Sequence, residues 1–115
     1  MIVVAPVMHG ELQGSATAVR FGSTLNAAAT ATSGAGTGYF RGRYVYIKAN
    51  TDNAGNVYIG LSSAVTKSAG TSTITGGMPI DAGQGELIPL PGQDAGNLWY
   101  ICDNAGDDFA FMILG

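Results

Sequence analysis

Tyr44-Val45-Tyr46-Ile47-Lys48, a turn at Asn50-Thr51-Asp52-Asn53-Ala54-Gly55-Asn56, and then Val57-Tyr58-Ile59-Gly60-Leu61 are the stretch on which the fold is read. Both flanking runs are rich in aromatic and β-branched residues, which fit the pleated, half-buried surface of a sheet. The residues between them suit a tight connection, because Asp and Asn bond the backbone two residues on and Gly accepts a positive φ. The same solution recurs at Asp94-Ala95-Gly96-Asn97, ahead of Leu98-Trp99-Tyr100-Ile101-Cys102, and at Asp103-Asn104-Ala105-Gly106-Asp107, ahead of Phe109-Ala110-Phe111-Met112-Ile113-Leu114. Thr71-Ser72-Thr73-Ile74-Thr75 and Glu86-Leu87-Ile88-Pro89-Leu90 are shorter strand candidates. The turns are spaced too unevenly for a solenoid or propeller. Strands at intervals of roughly 8 to 15 residues predict an all-β chain, a sandwich or a barrel.

Residues 1–37 have a different texture. They end in Leu25-Asn26-Ala27-Ala28-Ala29-Thr30-Ala31-Thr32-Ser33-Gly34-Ala35-Gly36-Thr37, almost without large apolar groups. Thr, Ser and Gly are poor helix formers and no apolar stripe recurs at helical spacing, so a helix is not expected despite the three alanines. The sequence predicts an extended N-terminal arm or edge strands over 1–37 and a sandwich core over 38–115.

With 115 residues the chain has the size of one domain. Charged residues make up 11%, under half of the roughly 25% usual in soluble domains. Hydrophobic content is 46% and mean hydropathy +0.21, yet no apolar run approaches the ~20 residues of a membrane-spanning helix. Met1 to Met8 lacks a basic start and is interrupted by Pro6, which makes it a poor signal peptide. A net charge of -3 with five Lys and Arg argues against binding nucleic acid by neutralising phosphates. The exterior is left to Ser, Thr, Asn, Gly and Ala, which lose little solvation or rotamer entropy when another protein covers them. Such a surface suits either a chain whose neighbours are other proteins or a tight β domain whose Thr/Ser exterior is simply poor in charge, and no membrane partner is expected.

Alternation along the strands sorts the side chains. Val45 and Ile47 point one way, and Tyr44, Tyr46 and Lys48 the other; Lys48 marks the second face as outward. Extending the pattern to Val57-Tyr58-Ile59 predicts an outer aromatic row of Tyr44, Tyr46 and Tyr58. Arg41, Arg43 and Lys48 make a small positive cluster beside Tyr39, Phe40, Tyr44 and Tyr46. In the last strand, Phe109, Phe111 and Ile113 oppose Ala110, Met112 and Leu114, and both faces are apolar.

Catalytic chemistry finds few candidates. His9 is the one histidine and stands near no recognised nucleophile motif. Asp103, Asn104, Asp107 and Asp108 concentrate oxygen ligands, but their spacing is that of turn residues and not of an EF-hand loop. Cys102 lies inside an apolar strand and reads as a small buried hydrophobe. Gly34-Ala35-Gly36-Thr37-Gly38 lacks the Lys-Ser/Thr of a phosphate loop. No enzyme, no metal and no cofactor is expected.

Residues 43–114 resemble a known group. The carriers are Tyr44-Val45-Tyr46-Ile47-Lys48-Ala49, Gly55-Asn56-Val57-Tyr58-Ile59-Gly60, Gly77-Met78-Pro79-Ile80-Asp81-Ala82-Gly83-Gln84, Glu86-Leu87-Ile88-Pro89-Leu90 and Asn97-Leu98-Trp99-Tyr100-Ile101-Cys102-Asp103. Together they resemble the small β-sandwich virion proteins of tailed bacteriophages, of the capsid decoration (cement) type. The resemblance implies a single antiparallel β-sandwich of jelly-roll-like form, and a homo-oligomer, a trimer or dimer, that binds major capsid protein on the outer surface of the head and stabilises the shell. It would then reside in the virion after assembly in the bacterial cytoplasm. Tyr39, Phe40, Arg41, Arg43, Tyr44, Tyr46 and Tyr58 are the expected interface. The alternative is a tail or head-fibre module that stacks host-surface carbohydrate on Trp99 and Tyr100.

Overall fold

The computed structural model describes residues 6–21, 29–31, 41–67 and 74–115. Among these residues nine strands follow one another: β1 (Pro6–Leu12), β2 (Val19–Arg20), β3 (Ala29–Ala31), β4 (Tyr44–Ala49), β5 (Val57–Gly60), β6 (Met78–Ile80), β7 (Gly85–Pro89), β8 (Trp99–Cys102) and β9 (Phe109–Leu114). They form an antiparallel β-sandwich with one sheet ordered β3-β1-β9-β4-β7 and the other β2-β8-β5-β6. Four pairings nest inside one another, β1 with β9, β2 with β8, β4 with β7 and β5 with β6. Within the two sheets β4 also pairs with β9 and β5 with β8, while β3 pairs with β1 outside this nest.

Alternation in the strands supplies the core. Val45, Ile47 and Ala49 of β4 and Phe109, Phe111 and Ile113 of β9 are buried on one inner face. Val57 and Ile59 of β5, Ile80 of β6, and Tyr100 and Cys102 of β8 are buried on the other. Each such large apolar side chain contributes about 1.5–3 kcal/mol on burial. Phe21, Tyr100 and Phe109 form an aromatic cluster with ring centroids 4.8–5.7 Å apart, two of the three contacts edge-to-face. The Tyr100 hydroxyl donates to the Gln13 carbonyl at 3.0 Å, which removes the cost of carrying a polar atom inward.

The acidic turn before β9 holds one end of the sandwich together. Asp107 is buried and its Oδ1 accepts from the amides of Ala54 (2.9 Å) and Gly55 (3.3 Å). Its Oδ2 accepts from the Asn104 amide and Nδ2, both at 3.0 Å. Asp103 Oδ2 accepts from the Asn56 amide at 2.8 Å, and Asp108 Oδ1 from the Gly14 amide at 2.8 Å. Gly14 passes so close to the Asp107 backbone that a Cβ there would collide with it.

Three expectations are corrected. The chain from Pro6 to Leu12 is an interior strand between β3 and β9, not an arm, and Met8, Leu12 and Phe21 belong to the core. The sandwich thus begins well before residue 38; β2 and β3 do lie at sheet edges, and 1–5, 22–28 and 32–37 are outside the described residues. Of the candidate strand 71–75, residues 71–73 are outside the described residues and Ile74 and Thr75 lie in a turn; β6 follows them, at residues not among the strand candidates. Pro79 fits β6 because it is an edge strand, where a missing N–H costs least. Lastly, Tyr58 sits in the other sheet from Tyr44 and Tyr46, so the predicted row of three does not exist.

Candidate interaction face

The outer face of the five-stranded sheet is built by the residues that alternate with its core positions. Register places His9, Met112, Tyr46 and Leu87 in one row across β1, β9, β4 and β7. Glu11, Ala110, Lys48 and Gly85 form the adjacent row. In the first row Tyr46 is 42% exposed, Leu87 54% and Met112 38%, so three of its four side chains offer large apolar surface to the outside. Gly85 lets this happen, since a Cβ at that position would run into Tyr46 Oη. The ring of Tyr46 therefore leans toward the β7 edge.

Beside the rings runs a groove of about 530 Å³, lined by His9, Glu11, Tyr46, Lys48, Ala110 and Met112 among others. Glu11 in its lining accepts from Asn50 Nδ2 at 3.1 Å, and Ala110, Phe111 and Met112 supply apolar surface. The arrangement can grip a complementary protein surface through desolvated apolar area with a charged rim, the usual anatomy of an interface.

The expected interface residues separate accordingly. Tyr44 and Tyr46 share this face, with Tyr44 half-buried and paired to Leu114 and Pro89. Arg41 and Arg43 are exposed just before β4. Tyr39 and Phe40 lie outside the described residues. Tyr58 is removed from the set: it is 5% exposed, and its hydroxyl donates to the Asp103 carboxylate at 3.3 Å. Burial first, and then the Asp103 charge, push its hydroxyl above the ordinary tyrosine range. Sequence reasoning missed His9, Leu87 and Met112. The period-two signal in β9 and β7 allowed them, but only register shows that they lie in line.

The alternative stacking platform also changes. Tyr100 is fully buried and offers no ring to a sugar. Trp99 is half-buried in a cleft with Arg20, Leu61, Pro91, Gly96 and Asn97. Two of the polar groups in that cleft are spent on its walls, Arg20 Nε on the Gly96 carbonyl at 2.8 Å and Asn97 Nδ2 on the Pro91 carbonyl at 2.8 Å.

Neither reactive centre nor ion site emerges from the acidic turn or the thiol. Burial pushes the Cys102 thiol up to about 11, far from the thiolate needed for reaction. Among the described residues no group of three or more His, Cys, Asp or Glu could hold a metal. No protein-family model matches the chain, and no curated protein or solved structure matches it either.

Proposed function

We propose that this protein is a phage capsid decoration protein, which covers a patch of the major capsid protein with the outer face of its five-stranded sheet. The observation that carries the reading is the row of Tyr46, Leu87 and Met112, exposed side by side on a chain with 11% charged residues. Monomers of this size rarely keep such a row in water unless something binds it. The nested pairing of β1–β9, β2–β8, β4–β7 and β5–β6 supports a jelly-roll reading, an architecture found among viral capsid and lectin domains. The resemblance of residues 43–114 to small virion sandwiches inclines the choice toward the capsid.

The mechanism is contact energy without chemistry. A standard interface of about 1,600 Å² suffices for each subunit, and repetition over a closed lattice supplies avidity. Phage heads assembled without the protein test this directly. Purified protein is expected to bind them saturably and raise the temperature at which they release DNA. Tyr44→Ser with Tyr46→Ser should abolish binding while the circular dichroism spectrum stays that of a sandwich. Heads that remain bare, together with saturable binding to a glycan array, would overturn the reading in favour of a carbohydrate-binding fibre module.

A further inference from the structure

The free edge of β7 has a donor pattern of its own. The Ala49 amide donates to the Gln84 carbonyl at 3.0 Å, and the Leu90 amide to the Arg43 carbonyl at 2.9 Å. Between these bonds Val45 pairs with Ile88 and Ile47 with Glu86. In an antiparallel ladder alternate residues turn their backbone to opposite sides. Glu86 and Ile88 therefore bond β4, while Gly85, Leu87 and Pro89 turn theirs to the open side. Among the described residues no strand pairs there. Of the four sheet edges, β7 has five residues against three in β3, two in β2 and three in β6. A long unpaired edge is a template for another strand.

We propose that the protein forms a two-fold dimer through this edge, with β7 antiparallel to β7 of a second copy and Leu87 opposite the partner's Leu87. In that register each Leu87 N–H donates to the other's Leu87 carbonyl, and each Gly85 N–H to the other's Pro89 carbonyl. Pro89, which has no N–H, needs no acceptor, so every outward donor of the edge is satisfied. The pairing overlaps the strand over its whole length and is self-complementary, as a two-fold interface requires. Because the axis is perpendicular to the sheet, both outer faces lie on the same side. The exposed row then runs unbroken as Met112, Tyr46 and Leu87, followed by the same three in reverse. Leu87, the most exposed of them at 54%, becomes the centre of the contact, and Tyr46, leaning over Gly85, flanks it.

The dimer stands whether or not the face binds a capsid, and experiments on the purified chain keep the two questions apart. Sedimentation equilibrium from micromolar to millimolar concentration is expected to show a mass of twice 11.7 kDa. Leu87→Pro removes two central hydrogen bonds on a side where no strand pairs among the described residues. It should weaken the dimer by at least about tenfold, with an unchanged circular dichroism spectrum, since edge strands tolerate proline. Leu87→Lys, which leaves the backbone unaltered, should dissociate it as well and decides the matter if the proline variant does not fold. Leu87→Cys should yield a covalent dimer on mild oxidation, because directly opposed residues of such a pair stand about 5.5 Å apart at Cα. A wild-type chain that stays monomeric throughout, or a dimer indifferent to Leu87→Lys, would overturn the proposal.

Discussion

Asp107 shows what one side chain can do in a chain with so few charges. Burial alone would raise its carboxyl, but the Asn104 side chain and the amides of Ala54, Gly55 and Asn104 outweigh that and hold it below the ordinary range. Its folded value is depressed, so the stability it contributes is present above the unfolded aspartate value near ~3.9 and is lost as pH falls through the folded value. Urea unfolding should therefore show stability dropping in acid. Asp107→Ala should cost about 3 kcal/mol at neutral pH, because several inward N–H groups lose their acceptor at once, and its acid slope should be shallower. A variant as stable as wild type would mean that other groups hold this turn. Cys102 gives a second check at the same scale. With its thiol pushed to about 11, it should resist thiol reagents at pH 8 in the folded protein and react promptly in denaturant.

At the scale of the element, β1 decides how much of the chain the sandwich needs. It lies between β3 and β9 and brings Met8 and Leu12 into the core. Removing residues 1–14 should unfold the domain, as judged by loss of the β-sheet circular dichroism signal, whereas loss of a mere arm would leave it intact. Leu12→Ala should cost about 2–5 kcal/mol for the cavity and the lost transfer energy. β1 was hard to read from sequence because Val7, Met8, His9, Gly10 and Glu11 do not alternate cleanly, and Pro6 looked like an interruption. By contrast, β4, β5, β8 and β9 could be read directly from their aromatic and β-branched runs. β6 could not, since Met78-Pro79-Ile80 carries the composition of a turn and is a strand only by virtue of pairing with β5. Within β4, Lys48 marks the solvent side and the other residues follow by alternation. The face does not carry over to β5, because alternation fixes the face of a strand and says nothing about which sheet the strand joins.

For the whole molecule the governing fact is that partners in space are remote in sequence: β1 and β4 both pair with β9, the last strand. Topologies dominated by such pairings fold in milliseconds to seconds, and stopped-flow refolding monitored through Trp99 should fall in that window. Until residues 109–115 are present the five-stranded sheet has no centre, so a chain ending at 108 should show no cooperative unfolding transition. The site shares this dependence. Tyr46 and Met112 are 66 positions apart by their numbers and meet only through the β4–β9 register, which explains why the residue types of the face were legible in sequence and its geometry was not.

The turn that Asp107 gathers has a consequence for how this protein can vary. What the carboxylate grips at 54 and 55 is main-chain nitrogen, and nearly every amino acid supplies that. Ala54 should accept a broad range of replacements at little cost, while position 107 should accept almost none. Gly55 is confined for a different reason, being pressed against the Asp103 side chain. With Asn53 kept, because its Nδ2 donates to the Asp108 carbonyl at 2.8 Å, a library randomised at 51, 52 and 54 would thus yield many folded members, making this pole of the sandwich a natural place to graft a foreign peptide.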